Sequence, residues 1–164
     1  MKVLIVTQAR IGSSRLPNKV LMKIGSDTIL GLHLKRLAKC KNAYKVVVAT
    51  TKEDNVSKII TIAKNLNIDV FQGSTNDVLD RYYNAANQYL PDYVVRVTSD
   101  CPLIDPELID EVINKAISKK VDYCSNVISE DFPDGQDVEV FKFKALQKAW
   151  RNAVLKSDRE HVTP

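Results

Sequence analysis

Four short runs rich in aliphatic and β-branched residues constrain the fold of this chain more than any other feature of its sequence. They are KVLIVT at 2–7, YKVVVAT at 44–50, IDVF at 68–71 and YVVRVT at 93–98. A strand buried on both faces has a continuous apolar run, whereas a half-exposed strand alternates. Apolar residues at helical spacing lie between these runs, at 28–40, from Asp54 onward and at 77–89. The alternation predicts a mainly parallel sheet with helices on both faces, which is a three-layer α/β/α sandwich.

The second half of the chain continues this pattern. Pro106 is predicted to open a helix, because proline is favoured in the first helical turn. Further strands are predicted at 121–125 and 137–143, and a last helix at 144–154. No linker or repeat interrupts residues 1–164, so we expect one domain. The sequence stops at Thr163-Pro164 without a closing helix, and we therefore expect a chain truncated at its C-terminus.

Charge and cysteine content exclude several classes of protein. The net charge is +4, a mild basic excess that a solvated surface explains, whereas a nucleic-acid binder usually carries a denser basic stripe. The three cysteines, Cys40, Cys101 and Cys124, form no C-x-x-C pair, which is typical of reduced thiols in the cytosol. No apolar stretch approaches the length of a membrane span. We expect a cytoplasmic protein without a nucleic-acid or membrane partner.

The loop after the first predicted strand carries the strongest chemical signal. Its cations are Arg10, Arg15 and Lys19, and they alternate with Gly12, Ser13 and Ser14. Small residues let backbone amides approach an anion, and the cations neutralise it. The loop contains neither G-x-x-x-x-G-K-[ST] nor G-x-G-x-x-G, so it is neither a Walker A nor a dinucleotide-binding loop. We interpret it as a different kind of phosphate-binding loop; the alternative is a solvated basic loop.

Three further groups of polar residues lie near predicted strand ends. Asp100, just past the fourth strand, is placed to hold Mg²⁺ against a triphosphate, or it is a turn-forming aspartate. The segment with Ser74, Asp77 and Arg81 is either a helix cap or part of a base-binding pocket. Asp137 and Glu139 lie two residues apart on one face of a strand, where they hold a metal or substrate hydroxyls, or face solvent.

Several of these segments together resemble a known family. The run QARIGSSRLPNKVL at 8–21 resembles the opening of the cytidylyltransferases that activate sugar acids, in particular their spore-coat-polysaccharide branch. The other similar segments are VATT at 48–51, FQGS at 71–74, DVLDRY at 77–82, RVTSDCPLID at 96–105, PDGQDVEVF at 133–141 and REHVTP at 159–164. The resemblance therefore covers the chain from end to end.

The resemblance implies a nucleotide-diphospho-sugar transferase fold of the Rossmann-like type. It also implies a reaction in which CTP and an acidic sugar or related acceptor give a CMP-linked product and pyrophosphate, for surface-polysaccharide precursors. By this likeness Arg10, Arg15 and Lys19 would hold the triphosphate, and Asp100 would bind Mg²⁺. The other nucleotide-binding residues would be Gln8, Ala9, Gly12 and Ser13, together with Ser74, Asp77 and Arg81 at the base or phosphates. The acceptor side would be formed by Asp137, Glu139, Arg159 and His161.

One departure from the family pattern leaves a second hypothesis open. Relatives continue further and bring another aspartate to the metal site, in a segment like V-D-[TS]-P-E-D that this sequence lacks. The alternative to an active transferase is therefore a truncated nucleotide-binding module without catalysis. A homodimer is a further expectation from the resemblance, although this sequence also lacks the later strands that often build the dimer in relatives.

Overall fold

The computed structural model describes residues 1–12, 16–127 and 131–163. The strands are β1 (Val3–Gln8), β2 (Lys23–Ile24), β3 (Asp27–Thr28), β4 (Lys45–Thr51), β5 (Asp69–Gly73), β6 (Tyr93–Thr98), β7 (Tyr123–Ser125) and β8 (Glu139–Lys142). The helices are α1 (Ile29–Leu37), α2 (Ser57–Asn65), α3 (Val78–Asn87), α4 (Pro106–Lys119), α5 (Phe143–Asn152) and α6 (Lys156–His161). Short 3₁₀ turns cover Lys19–Leu21 and Asp54–Val56.

Six of these strands form one sheet in the order β5-β4-β1-β6-β8-β7. The pairs among β5, β4, β1 and β6 are parallel, and β8 pairs antiparallel with β6 and β7. From β1 the chain moves outward to β4 and β5, then returns to β6 on the other side of β1. The order therefore reverses between β1 and β6, and such a switch point is where open α/β sheets bind ligands.

Both faces of the sheet are buried, as the continuous apolar runs predict. Along β1, Val3 and Ile5 pack into one core cluster, and Leu4 and Val6 pack into another. Residues of α1, α2 and α4 complete the first cluster, and residues of α3 and α5 complete the second. Because successive side chains of a strand point to opposite faces, this division confirms the three-layer α/β/α sandwich.

Side-chain caps fix where three of the helices begin. Thr28 accepts a hydrogen bond from the Gly31 amide at the start of α1. Asp105 accepts one from the Glu107 amide at the start of α4, with Pro106 in the first turn as predicted. Asp77 caps α3 by accepting from the Asp80 amide. Each cap satisfies an amide that has no partner within its helix.

Some elements differ from the sequence-based expectations. The helix expected from Asp54 starts as a 3₁₀ turn, and α2 begins at Ser57. The strands expected at 121–125 and 137–143 are shorter, at Tyr123–Ser125 and Glu139–Lys142. The β2–β3 hairpin and α6 were not expected, because elements of two and six residues are too short for periodicity to reveal them. Among the described residues, no helix is both long and apolar enough to cross a membrane.

Candidate active site at the end of the parallel strands

A cavity of about 410 Å³ opens at the carboxyl ends of β1 and β6. We call it the strand-end cavity. Its lining residues come from four regions, the end of β1 with the loop after it, the end of β6 with its loop, one face of α3, and α6. They are Gln8, Arg10, Leu16, Lys19, Val20, Val78, Tyr82, Arg96, Thr98, Ser99 and Asp100, with Glu160 from α6. The cavity lies at the switch point of the sheet, since Gln8 and Thr98 are paired across β1 and β6.

Lys19 and Asp100 meet in this cavity. The Nζ atom of Lys19 lies 2.5 Å from Oδ2 of Asp100, and each side chain is a little over one third exposed. Burial of Asp100 opposes its ionisation, but the hydrogen bond and charge of Lys19 outweigh that effect and lower the pKa of the carboxyl group. Asp100 is therefore held ionised beside a cation, in a site that remains open to solvent.

The backbone around Lys19 explains how the residue reaches the cavity. Asn18 has a left-handed conformation with φ of 60°, and its amide donates to the Ile11 carbonyl oxygen at 3.1 Å. This contact folds the loop back on itself before the 3₁₀ turn at Lys19–Leu21 begins. Buried Val20 anchors that turn in the core. Lys19 is thus carried on a short anchored turn at the mouth of the cavity.

The other predicted residues of the first loop have different surroundings. Gln8 and Arg10 line the cavity. Ala9 is buried and its amide donates to the Ala49 carbonyl oxygen at 3.1 Å, so this amide is occupied by the sheet. A Cβ atom built on Gly12 would meet no heavy atom of the described residues within 4 Å, so the described part of the chain leaves space beside it. Ser13 and Arg15 lie outside the described residues.

Ser74 and Asp77 form a helix cap, which was one of the two interpretations of this segment. The Asp77 amide donates to Oγ of Ser74 at 3.1 Å, and Oδ1 of Asp77 accepts from the Asp80 amide at 2.8 Å. Neither residue lines the strand-end cavity. Instead, α3 presents Val78 and Tyr82, which are one turn apart, to the cavity.

Arg81 does not line the strand-end cavity, contrary to the expectation that it borders the nucleotide pocket. Its side chain is fully buried, and Nη1 donates to the Ser74 carbonyl oxygen. Its Nε and Nη2 have no hydrogen-bond partner among the described residues. Burial lowers the pKa of this guanidinium group. Because Val78 and Tyr82 face the cavity, Arg81 points to another side of the same helix, against Gly73.

A second cavity, of about 460 Å³, adjoins the first and shares Lys19, Thr98 and Asp100 with it. We call it the adjoining cavity. Asp137 is exposed and lines it together with residues of the 101–103 and 134–136 segments. The Lys19–Asp100 pair therefore stands between two cavities, one lined by the first loop and one lined by the segment before β8.

Glu139 is buried rather than directed to an open site. It forms a salt bridge with Arg96, and it accepts hydrogen bonds from the hydroxyl groups of Tyr123 at 2.8 Å and Thr163 at 2.5 Å. Asp137 and Glu139 both border a smaller cavity of about 250 Å³, but only Asp137 is exposed. The two acids were expected to face an open site together, but only Asp137 is exposed. Glu139 is occupied by residues of β6, β7 and the C-terminal segment.

Arg159 and His161 do not line any of these three cavities. Arg159 donates from Nε to the Ala153 carbonyl oxygen at 3.1 Å and lies 3.4 Å from Oδ2 of Asp77. These contacts fasten α6 to the start of α3. His161 is exposed, and the residue between them, Glu160, lines the strand-end cavity instead. Neither Arg159 nor His161, which were expected on the acceptor side, lines the adjoining cavity.

Sequence reasoning missed several lining residues. Arg96, Thr98, Ser99, Val78, Tyr82 and Glu160 all border the strand-end cavity. Arg96 had a detectable signal, since it is the charged residue within the apolar strand run YVVRVT. Val78 and Tyr82 had none, because apolar residues at helical spacing indicate a core face and not a ligand pocket.

The described residues contain no group of three or more His, Cys, Asp or Glu side chains arranged to hold a metal ion. Asp100 is nevertheless a hard oxygen ligand at the edge of an open cavity. Mg²⁺ is commonly held by one or two carboxylates, with substrate phosphates and water as the remaining ligands. The residues present therefore fit a Mg²⁺ ion that arrives with a phosphorylated substrate, and they do not form a complete protein cage for one.

Comparison with known proteins confirms the family resemblance. A family model described as cytidylyltransferase matches residues 3–164. An uncharacterized protein of Methanocaldococcus jannaschii is 48% identical over 100% of this chain and 66% of its own length. The spore coat polysaccharide biosynthesis protein SpsF of Bacillus subtilis is 28% identical over 97% of this chain and 70% of its own. The 3-deoxy-manno-octulosonate cytidylyltransferase of Chlorobium chlorochromatii is 32% identical over 82% of this chain and 53% of its own.

A solved structure gives the same result. A cytidylyltransferase from Leptospira borgpetersenii superposes with a TM-score of 0.96 and 40% identity, over 100% of this chain and 70% of that chain. The chain thus spans between 53% and 70% of the length of these four proteins. Matches in sequence and in structure both extend along the described sheet and its loops. The chain belongs to the cytidylyltransferase family.

Proposed function

We propose that this protein transfers CMP from CTP to an acidic sugar or a related acceptor and releases pyrophosphate. The observation that carries the proposal is the meeting of Lys19 and Asp100 at the switch point, with Arg10 lining the same cavity. A candidate nucleotide-binding loop and a candidate metal ligand, distant in sequence, are thereby adjacent. Membership of the cytidylyltransferase family supports CTP as the nucleotide.

The chemistry of this transfer suits the groups that line the cavity. Attack of an acceptor oxygen on the α-phosphorus builds negative charge on the phosphate oxygens and on the departing pyrophosphate. Cations fixed in advance stabilise such charge, and no protein nucleophile is required. In this proposal Arg10 and Lys19 contact the triphosphate from the loop after β1. Arg15 has the same proposed role, although it lies outside the described residues.

We propose Mg²⁺ as the cofactor, with Asp100 as its protein ligand. When bound, the ion would neutralise charge on the phosphates and orient the α-phosphate toward the acceptor. Asp100 itself stays ionised at neutral pH, because Lys19 keeps the pKa of its carboxyl group low. The carboxylate is therefore available as a ligand without first having to lose a proton.

The adjoining cavity is the proposed place for the acceptor. It lies on the other side of the Lys19–Asp100 pair from the strand-end cavity, and Asp137 lines it. A sugar hydroxyl could donate to the Asp137 carboxylate. The relatives named as spore coat polysaccharide and 3-deoxy-manno-octulosonate proteins support a surface-polysaccharide precursor as the product. The acceptor, a cytoplasmic location and a homodimer stay predictions.

The decisive experiment measures pyrophosphate release with each of four nucleoside triphosphates against a panel of sugar acids and sugar phosphates. We expect release with CTP and one acceptor class, and loss of release when Mg²⁺ is chelated. Release with another triphosphate and not with CTP would contradict the proposal. The same panel should be run on any longer version of the gene, because the chain spans only part of its relatives' length.

The second candidate is a nucleotide-binding module without catalysis. One observation favours it, since the described residues offer Asp100 but no group of three or more side chains arranged to hold a metal ion. Calorimetry separates the two candidates. Binding of CTP without pyrophosphate release from any acceptor in the panel would favour the module over the enzyme.

A further inference from the structure

His33 is a buried polar side chain that the proposed chemistry does not use. It lies on α1, and neither its side chain nor that of Thr7 on β1 has measurable exposure. Nε2 of His33 lies 3.0 Å from Oγ1 of Thr7, and Nδ1 lies 2.9 Å from the carbonyl oxygen of Cys101. The ring therefore bridges the first strand and the residue that follows Asp100.

The partners of the ring define its protonation. A carbonyl oxygen only accepts, so Nδ1 carries the proton and donates to Cys101. Nε2 is then the unprotonated nitrogen, and the Thr7 hydroxyl donates to it. Burial lowers the pKa of His33, which agrees with a neutral ring. Both nitrogens are satisfied, and each bond has a fixed direction.

The position of these two bonds connects His33 to both loops of the site. Thr7 is followed by Gln8, which lines the strand-end cavity, and Cys101 is preceded by Asp100. The other backbone hydrogen bonds of Cys101 are longer, since its amide lies 3.3 Å from the Thr98 carbonyl oxygen and its carbonyl oxygen also accepts from the Ile104 amide at 3.3 Å. Two side chains of α1 thus attach the Asp100 loop to this helix, His33 at the Cys101 carbonyl oxygen and Arg36 at the Ile104 carbonyl oxygen at 2.6 Å, and the His33 bond is the nearer of the two to Asp100.

We propose that His33 is a positioning residue that fixes the Asp100 loop, through Nδ1 and the Cys101 carbonyl oxygen, at the distance from β1 that the transfer requires. This inference rests on the proposed function for its kinetic consequence. Its structural part, the attachment of the loop, stands independently of the reaction. Two substitutions separate the two bonds of the ring.

His33→Asn keeps a donor near the place of Nδ1 and loses the acceptor for Thr7. His33→Gln puts its polar atoms near the place of Nε2 and loses the donor to Cys101. Leu37→Ala is the control, because Leu37 is a fully buried residue one turn along α1 with no contact to the loop through a hydrogen bond. Denaturant titration of all three variants shows how much stability each has lost.

The first readout is alkylation of the Cys101 thiol, which is partly exposed, followed by peptide mass spectrometry. Cys124 on β7 is the internal reference. We expect Cys101 in His33→Gln to react about tenfold faster than in the wild type, the scale of losing one buried hydrogen bond. His33→Asn and Leu37→Ala should stay close to the wild-type rate. An unchanged rate in His33→Gln, or an equal rise in either other variant, would overturn the proposal.

The second readout is pyrophosphate release. We expect His33→Gln to lower kcat about tenfold with the KM for CTP within about twofold, while His33→Asn recovers most of kcat. Faster alkylation with an unchanged kcat would overturn the positioning role in the reaction. If the wild type releases no pyrophosphate with any acceptor, the proposed function fails, and the alkylation rates alone decide whether His33 holds the loop.

Discussion

Nζ of Lys19 lies 2.5 Å from Oδ2 of Asp100, although 81 positions separate the two residues in the chain. The contact arises because β1 and β6 are parallel neighbours, so that the loops after both strands emerge at the same edge of the sheet. Each residue is therefore positioned by its own strand and turn, and the contact between them depends on how the two loops of the candidate active site are placed. The first three predictions concern this pair.

Replacing Asp100 with Asn removes the proposed Mg²⁺ ligand while keeping the side chain's size. We expect turnover to fall at least tenfold, which corresponds to about 1.4 kcal/mol of transition-state stabilisation. The measurement is pyrophosphate release under saturating CTP and acceptor. Asp54→Asn, an exposed carboxylate at the start of the 3₁₀ turn before α2, is the control. Unchanged release in Asp100→Asn would contradict the metal-binding role.

Replacing Lys19 with Ala removes a cation from the mouth of the strand-end cavity. We expect a higher KM for CTP and weaker inhibition by pyrophosphate, because under the proposed function both ligands present phosphates to this loop. Initial rates over a series of CTP and pyrophosphate concentrations measure both constants. Lys23→Ala is the matched control, since Lys23 is exposed on the short strand β2. If Lys19→Ala and Lys23→Ala behave alike, the basic loop does not bind the nucleotide.

Lys19→Ala should also change the titration of Asp100. Burial raises the pKa of this carboxyl group and the Lys19 contact lowers it, with a net lowering. Without Lys19 the burial effect remains, so we expect the pKa of Asp100 to rise. A group with a lowered folded-state pKa stabilises the protein above its unfolded-state pKa, and that contribution disappears as the pH falls through the folded-state pKa. Carboxyl-carbon NMR titration of both proteins measures the shift; an unchanged or lower pKa would contradict it.

The parallel part of the fold was predictable because its strands are buried on both faces. Continuous apolar runs gave β1, β4 and β6 with bounds within one residue, and the alternation with helices gave the three layers. The β2–β3 hairpin carries no such run, because each of its strands has two residues. Its turn depends on Gly25 with φ of 61°, a conformation that a sequence pattern does not identify.

The candidate site was predictable mainly where residues lie in the loop after a strand. Arg10 and Asp100 lie two residues after β1 and β6, Lys19 lies farther along the loop after β1, and all three line the strand-end cavity. Arg81 lies inside a helix, where the direction of a side chain depends on which face packs against the sheet. That rotation is set by tertiary packing, and it turns Arg81 into the interior while Tyr82 borders the cavity.

Gly73 is predicted to accept a side chain only at a cost in stability. A Cβ atom at this position would lie 2.7 Å from a ring carbon of Phe71 and 3.0 Å from Cγ of the buried Arg81. We expect Gly73→Ala to lower the free energy of unfolding by roughly 1–3 kcal/mol, the range for an overpacked site. Gly12→Ala is the control, since a Cβ there meets no atom of the described residues within 4 Å. Denaturant titration compares them, and equal stability of the two variants would show that Phe71 and Arg81 readily move aside.

Glu139 and Asp137 are two residues apart, yet they are predicted to serve different purposes. Glu139→Gln leaves Arg96 without its partner carboxylate in a largely buried place, since the Glu139 side chain is 8% exposed and the Arg96 side chain is 25% exposed. We expect a loss of about 2 kcal/mol in the free energy of unfolding, less than for a fully buried pair because Arg96 is partly solvated. Asp137→Asn should leave stability unchanged and raise the KM for the acceptor. The reverse pattern, with a stable Glu139→Gln and a destabilised Asp137→Asn, would mean that Asp137 is structural and Glu139 faces the acceptor.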